Sequence, residues 1–102
     1  MTSREWLTAV VLGVIVSAIL LVYFPAAMVV SIASGVLAAA RELRSLWPVM
    51  VGLVAGLGAV ASDLVANREL VGFHLAVTFT MCALAWSAWS ITGRLIRADR
   101  RG

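Results

Sequence analysis

Asp63 and His74 are the acidic and basic side chains that lie well inside the long apolar stretches of this sequence. Ionisable groups in such segments are expensive to bury, so they mark candidate functional sites, in particular proton or cation sites. Asp63 precedes Asn67 by four residues and His74 follows Leu70 by four. At helical rise each lies about 6 Å from the polar turn between them. We therefore expect the two side chains at matching depth on adjacent antiparallel helices, within reach of a hydrogen bond.

This pair admits two interpretations. In the first, it belongs to a structural hairpin clasp with Asn67, Arg68 and Glu69, in which Asp63 reaches water or Arg68. In the second, Asp63 is a proton or cation site tuned by His74, since histidine is the side chain that changes charge between about pH 5 and 8. A coupled transporter usually carries its acid nearer the middle of the bilayer. The sequence therefore favours the clasp.

The segments that must position the pair are apolar enough for a lipid bilayer. From Trp6 through Ala40 the chain carries no Asp, Glu, Lys, Arg or His, and its 102 residues are 63% hydrophobic and 13% charged. Too little polar surface exists to cover such a core in water, whereas a bilayer removes that need. The lone Cys82 excludes an internal disulfide. We predict an all-α integral membrane protein.

The first apolar stretch is too long for one ordinary span. As a helix, Trp6 to Ala40 would run about 50 Å against a hydrocarbon core of about 30 Å. Pro25 lies near its middle, and proline opens a helix more readily than it continues one. We therefore predict a single transmembrane domain over residues 1–102, built from four short helices as two helical hairpins. Their predicted ranges are 6–23, 26–42, 48–66 and 71–93, followed by a basic tail over 94–102.

Two other layouts remain open. Three spans with a long first helix would also accommodate the hydropathy. A secretory leader could be cleaved after Ala38-Ala39-Ala40, but the preceding apolar stretch is longer than the usual signal core of about 7–15 residues.

Charge and tryptophan placement predict the orientation. In the four-span layout seven of the eight arginines fall on one side, and Arg68 alone falls on the other. The seven are Arg4, Arg41, Arg44, Arg94, Arg97, Arg100 and Arg101. This bias predicts that both termini are cytoplasmic, and the membrane we expect is the bacterial inner membrane. Arginine use without lysine suggests a GC-rich genome.

Aromatic and basic residues on that side suggest contacts with lipid. We expect Trp6, Trp47, Trp86 and Trp89 to anchor this face at the membrane interface. Arg94, Arg97, Arg100 and Arg101 are expected to bind anionic headgroups.

Small residues recur at helical spacing in each predicted span, which is typical of close helix contacts in lipid. The first stripe is Ala9, Gly13 and Ser17; the second is Ala27, Ser31, Gly35 and Ala38; the third is Gly52, Gly56, Ala59 and Asp63; the fourth is Ala76, Thr80, Ala83, Ser87 and Ser90. Some of these stripes should pack within the subunit, and others are available to a second copy or a larger membrane complex.

In outline the chain resembles small multidrug-resistance transporters, in its length, its four predicted spans and Leu46-Trp47-Pro48 opening a span after a basic turn. It lacks the buried glutamate of their first helix, because no acid occurs between Trp6 and Ala40. It is also similar to phage holins in combining short spans with an arginine-rich end.

Packing stripes are abundant and reactive groups are scarce, so we expect a non-catalytic protein that needs no cofactor or metal and binds no nucleic acid. The leading hypothesis is an accessory or structural subunit of a homo-oligomer or a larger membrane complex. Alternatives are a holin-like pore, with Thr78, Thr80, Ser87 and Ser90 facing its lumen, and a proton-coupled transporter centred on Asp63.

Overall fold

The computed structural model describes residues 3–101, apart from the side chain of Arg101. Across this range the chain is helical and contains no strand. Its elements are α1 (Ser3–Val22), α2 (Phe24–Ala40), α3 (Leu46–Ala66), a 3₁₀ turn (Arg68–Leu70) and α4 (Val71–Arg101). The prediction of an all-helical chain with four helices is therefore confirmed, and the first apolar stretch does not form one long helix.

The first helix break falls where proline predicted it. Tyr23 adopts an extended backbone conformation, with φ −154° and ψ 93°, and Pro25 occupies the first turn of α2. Proline lacks the N–H that would continue α1, so a new helix starts around Pro25. The single extended residue Tyr23 connects the two helices and lets the chain reverse direction. The helical hairpin predicted around Pro25 is therefore present.

The end of α2 is a left-handed cap without glycine. Glu42 has φ 59°, its N–H donates to the Ala39 carbonyl at 3.2 Å, and the Leu43 N–H donates to the Ala38 carbonyl at 2.8 Å. These two bonds satisfy the last carbonyls of the helix in the Schellman pattern. The cap turns the chain towards α3, which begins at Leu46 with Pro48 in its first turn.

The fourth helix is longer than the sequence suggested. It begins at Val71, as predicted, but continues through the basic tail to Arg101 instead of ending near residue 93. Its 31 residues correspond to about 46 Å, well beyond a hydrocarbon core of about 30 Å. The tail is therefore a helical extension of the bundle.

The helices form a flattened bundle whose principal extents are 52 × 26 × 16 Å. Helix α1 packs mainly on α3, α3 on α4, and α4 on α2, with smaller contacts of α2 with α1 and α3. In the described range α1 and α4 do not pack on each other. Helix α3 is therefore the centre that links the first helix to the last.

Contacts between chain segments show which helix ends lie together. Trp47 Nε1 donates to the Glu5 carbonyl at 3.0 Å, and Trp89 Nε1 donates to the Leu43 carbonyl at 2.8 Å. The start of α1, the 41–45 loop and the last turns of α4 thus share one end of the bundle, which we call the arginine-rich end.

At the other end, the rings of Phe24 and Phe73 make an edge-to-face contact with centroids 5.5 Å apart. The starts of α1 and α3 therefore lie at the arginine-rich end, and the starts of α2 and α4 lie at the opposite end. Successive helices thus run in alternating directions.

Three of the four small-residue stripes are buried within the subunit. The members of the first two are all buried, as are Gly52, Gly56 and Ala59 of the third. Gly13 lies against Val51 and Val54 of α3, while Gly35 lies against the backbone of α4. Side chains at these positions would hold the helices apart, so glycine permits the close approach.

The fourth stripe points the other way. Ala76, Thr80 and Ala83 are exposed, and Ser87 and Ser90 are half-buried. The inward face of α4 instead consists of His74, Val77, Thr78, Met81 and Ala85. On α4 the small-residue stripe is therefore not the packed face, and it lies towards the outside of the bundle.

The outside of the bundle is apolar over most of its height. Large hydrophobic side chains are exposed on all four helices, including Leu7, Val29, Leu57 and Phe79. Three helical segments, Ser3–Val22, Leu46–Ala66 and Arg68–Arg100, are long and apolar enough to cross a membrane, and Phe24–Ala40 is a shorter apolar helix. Water-soluble monomers rarely expose apolar surface so continuously.

Candidate functional site

The α3–α4 hairpin brings Asp63 and His74 into contact. Asp63 lies in the last turn of α3 and His74 in the first turn of α4, and the 3₁₀ turn between them folds the two helices side by side. His74 Nδ1 and Asp63 Oδ2 form a direct, buried hydrogen bond. The two residues are only 4% and 3% exposed, so both are almost completely buried in the bundle.

Thr78 and Gly56 complete the surroundings of the pair along the α3–α4 interface. The Thr78 hydroxyl is buried and donates to the His74 carbonyl at 2.6 Å. A side chain on Gly56 would overlap that of Thr78, so the glycine makes room for the threonine. The hydroxyl is satisfied within its own helix, which leaves the imidazole as the partner of the carboxylate.

Burial makes the charge of the pair interdependent. A lone carboxylate or imidazolium in an apolar interior is strongly disfavoured, whereas a hydrogen-bonded imidazolium and carboxylate carry no net charge together. Removing one partner of a buried ion pair typically costs about 3–5 kcal/mol, because the other is left uncompensated. Asp63 and His74 therefore depend on each other for their burial.

His74 also borders a cavity at the end of the bundle where Phe24 contacts Phe73. The cavity has a volume of about 300 Å³. Its walls include Leu20, Tyr23, Phe24, Leu70, Phe73 and His74. The imidazole thus lies between the carboxylate of Asp63 and a small, mostly apolar space that opens towards this end.

The structure does not bring Arg68 into the pair. Arg68 is exposed, and its Nε donates to the Leu64 carbonyl at 3.3 Å, one turn earlier. Asp63 is buried against His74, so the predicted contact of its carboxylate with Arg68 is not formed among the described residues. The guanidinium binds the end of α3 because carbonyls there have no partner within the helix.

The four tryptophans divide into two groups. Trp47 is buried, and both Trp47 and Trp89 donate their indole N–H to backbone carbonyls at the arginine-rich end of the bundle. Trp47 therefore acts as an internal contact between α3 and α1, in place of the predicted interface anchor. Trp86 is exposed and Trp6 half-buried, so an interfacial position remains compatible with these two.

The arginine tail is exposed along α4. Arg94, Arg97 and Arg100 are exposed, and the side chain of Arg101 lies outside the described part of the chain. Arg100 Nη2 donates to Glu42 Oε1 at 3.0 Å, with both side chains about two-thirds exposed. Such exposed pairs contribute about 0–1 kcal/mol. The pair joins the end of α4 to the 41–45 loop without fixing it strongly.

Groups that could bind a metal or act as a nucleophile are not assembled in the described range. No cluster of three or more His, Cys, Asp or Glu side chains occurs there. The Cys82 thiol donates to the Val49 carbonyl at 3.6 Å and lies beside Gly52. Within residues 3–101, the ionisable side chains that the structure brings into buried contact are Asp63 and His74.

Sequence reasoning did not assign the buried Thr78 to this site, and it did not predict that the Ser31 hydroxyl lacks a partner within the described residues. Thr78 was assigned to a possible pore lumen, although its position four residues after His74 could have identified it as part of the same face. Ser31 is fully buried on α2, and its Oγ has no hydrogen-bond partner within the described residues. No sequence signal distinguishes an unpaired hydroxyl from one that bonds its own helix.

Comparisons of the chain with protein-family models, with curated proteins and with solved structures give no significant match.

Proposed function

We propose that this protein resides in the bacterial inner membrane with both termini in the cytoplasm, and that it is a non-catalytic subunit that self-associates through α4. Membrane residence is supported by the apolar exterior and by three helices of spanning length. The orientation is supported by the arginine-rich end, since cytoplasmic segments carry an excess of basic residues.

The observation that carries the self-association is the outward direction of the fourth stripe. The small-residue stripes of α1 to α3 are buried inside the subunit, whereas the stripe of α4 presents Ala76, Thr80 and Ala83 to the outside. Small and hydroxyl side chains do not improve the contact of a helix with lipid. Against a second helix they permit close backbone approach and interhelical hydrogen bonds. The exposed face of α4 is therefore suited to another helix.

A second copy of this chain is the proposed occupant. The arginine bias gives every copy the same orientation in the membrane. Two copies are then related by a two-fold axis normal to the membrane, and their α4 helices run parallel. In such an interface each residue near the axis approaches its own counterpart. Ala83, near the middle of the exposed stripe, should then face Ala83 of the other copy.

Disulfide trapping tests this arrangement. In a Cys82→Ala background, Ala83→Cys should form a covalent dimer under mild oxidation in native membranes. Ala33→Cys is the matched control, because Ala33 is an exposed alanine on α2. Equal trapping at both positions, or none at position 83, would overturn the proposed interface. Trapping of position 83 to a different protein would replace self-association with membership in a larger complex.

A second candidate function, proton-coupled transport, is supported by the cavity beside His74. An imidazole between a buried carboxylate and an open space has the placement of a proton relay. Reconstituted protein should then show pH-dependent flux that Asp63→Asn abolishes while the dimer still forms. Flux that is unchanged by this substitution would eliminate the transport role.

The pore alternative has weaker support. Thr78 is buried against His74, whereas Thr80 is exposed, so the four hydroxyl residues considered for a lumen do not share one face. Expression alone should therefore leave growth and membrane potential intact. Collapse of both would instead favour a permeabilising assembly.

A further inference from the structure

A groove between α1 and α2 lies apart from the Asp63–His74 pair, and neither of these two residues lines it. Its volume is about 710 Å³, within the range of about 300–1,000 Å³ that is typical of small-ligand sites. The walls are mainly apolar, with Leu7, Val11, Leu12 and Ile15 on α1 and Leu37 on α2. The two helices meet at Tyr23 and leave this space between their opposite ends.

Two arginines flank the groove at the arginine-rich end. Arg4 on α1 and Arg41 after α2 both line it and are both exposed. Within the described residues neither guanidinium forms an ion pair with a carboxylate. Glu5 also lines the groove, so the formal charge of its lining is +1. The groove therefore joins an apolar interior to a positively charged mouth.

The depth of the groove matches one leaflet of a bilayer. The α1 residues that line it extend from Arg4 to Ile15, which corresponds to about 16 Å along the helix axis. Half of a hydrocarbon core is about 15 Å. A chain that entered beside the arginines would thus reach the level of the bilayer midplane at Ile15.

We propose that this groove binds an anionic phospholipid of the cytoplasmic leaflet, with an acyl chain along α1 and its phosphate between Arg4 and Arg41. Guanidinium groups bind phosphate through paired, charge-assisted hydrogen bonds. The buried indole of Trp47, held by the Glu5 carbonyl, forms part of the wall near the mouth. The proposal depends on membrane residence but not on pairing through α4.

A second copy of the chain fits this groove less well than a lipid. A two-fold interface at the groove would bring Arg4 and Arg41 of one copy towards the same residues of the other. Like charges at close range oppose such an interface. A single anionic headgroup, which carries one negative charge, instead balances the +1 formal charge of the groove lining.

Native mass spectrometry of the detergent-solubilised protein tests the proposal, with phosphatidylglycerol and phosphatidylcholine of identical acyl chains as the probes. Phosphatidylglycerol should remain bound preferentially. The double variant Arg4→Gln/Arg41→Gln should weaken its binding about 25-fold, or about fivefold per arginine, which corresponds to about 1 kcal/mol each near an anionic headgroup. Equal retention of the two lipids by the unmodified protein would overturn the proposal.

The matched control is Arg44→Gln/Arg94→Gln, which removes the same charge from exposed arginines at the same end but outside the groove. It should leave phosphatidylglycerol binding within about twofold of the original. If both double variants lose phosphatidylglycerol binding equally, the lipid is attracted nonspecifically to the arginine-rich end. That result would contradict a site in the groove.

A third variant, Val11→Phe, fills the groove without changing charge. It should reduce phosphatidylglycerol binding while the helix content, measured by circular dichroism, is unchanged. Undiminished binding by a folded Val11→Phe protein would contradict the acyl-chain position. Failure of these lipid tests leaves the cysteine trapping at Ala83 unaffected, so the two proposals are judged separately.

Discussion

Replacing Gly35 by alanine should separate α2 from α4. A β-carbon at this position would lie 3.0 Å from Cβ of Ala88 and 3.1 Å from the backbone nitrogen of Trp89, and closer still to the carbonyl oxygen of Ala85. Two of these atoms belong to the backbone of a helix and cannot rotate away. The helices themselves must therefore move apart to accept one methyl group.

The expected loss of stability combines two opposing effects. Overpacking a close interface costs about 1–3 kcal/mol, and the backbone contacts place Gly35→Ala near the upper end of that range. Alanine recovers up to about 1 kcal/mol through its higher helix propensity. We expect a net loss of about 2 kcal/mol in the free energy of unfolding.

Titration with sodium dodecyl sulfate in mixed micelles, followed by tryptophan fluorescence, measures this change. Gly93→Ala is the control, because a β-carbon on Gly93 would meet no atom within 4 Å; it should gain up to about 1 kcal/mol. Gly52→Ala should fall between them, since its nearest neighbour is the Cys82 sulfur at 3.3 Å. If Gly35→Ala is as stable as Gly93→Ala, the close approach of α2 and α4 is refuted.

The same titration checks four further predictions. Asp63→Ala and His74→Ala should each lose about 3–5 kcal/mol, and the double variant much less than their sum, because only the single variants leave an uncompensated partner; additive losses would show that the residues act independently. Ser31→Ala should gain about 1 kcal/mol by removing an unpaired buried hydroxyl, and a loss would imply that the hydroxyl has a partner. Trp47→Phe should lose about 1 kcal/mol and speed amide hydrogen exchange in the first turns of α1, whereas unchanged exchange would contradict the indole contact. Arg100→Gln should change stability by less than about 1 kcal/mol, since its ion pair is exposed, and a larger loss would indicate a stronger link to the 41–45 loop.

Features governed by local chemistry were predictable from the sequence. Proline at position 25 predicted the break after α1, and the polar turn at 67–70 predicted the hairpin that joins α3 to α4. The contact of Asp63 with His74 followed from their equal distances to that turn. In each case a few neighbouring residues determine the geometry, because helical rise and proline sterics act over short range.

The buried faces of the helices were harder to predict. In water, an apolar stripe marks the face that turns inwards, because the other face must be polar. Here the exterior is also apolar, so Phe79 can be exposed on the same helix in which Met81 is buried. Hydrophobicity therefore does not distinguish inside from outside in this bundle, and small residues are the remaining signal.

Trp47 illustrates a second limit. An indole near a helix end can place its N–H in the polar interface or donate it to a carbonyl inside the protein, and both satisfy the same requirement. Which occurs depends on whether another helix start lies close enough. Glu5 supplies that carbonyl through the packing of α1 on α3, a long-range contact that the sequence near Trp47 does not contain.

Which face of α4 turns inwards could nevertheless have been deduced by combining two separate expectations. At 3.6 residues per turn each residue advances about 100° around the helix, so the five members of the fourth stripe lie between about 160° and 240° from His74. A helix that turns His74 towards Asp63 must therefore turn that whole stripe outwards. Pairing an ionisable group in an apolar interior outweighs the smaller gain from close packing of alanine and serine. The buried pair thus determines which face of α4 is left for a partner, so the clasp and the proposed interface are consequences of one rotation of the same helix.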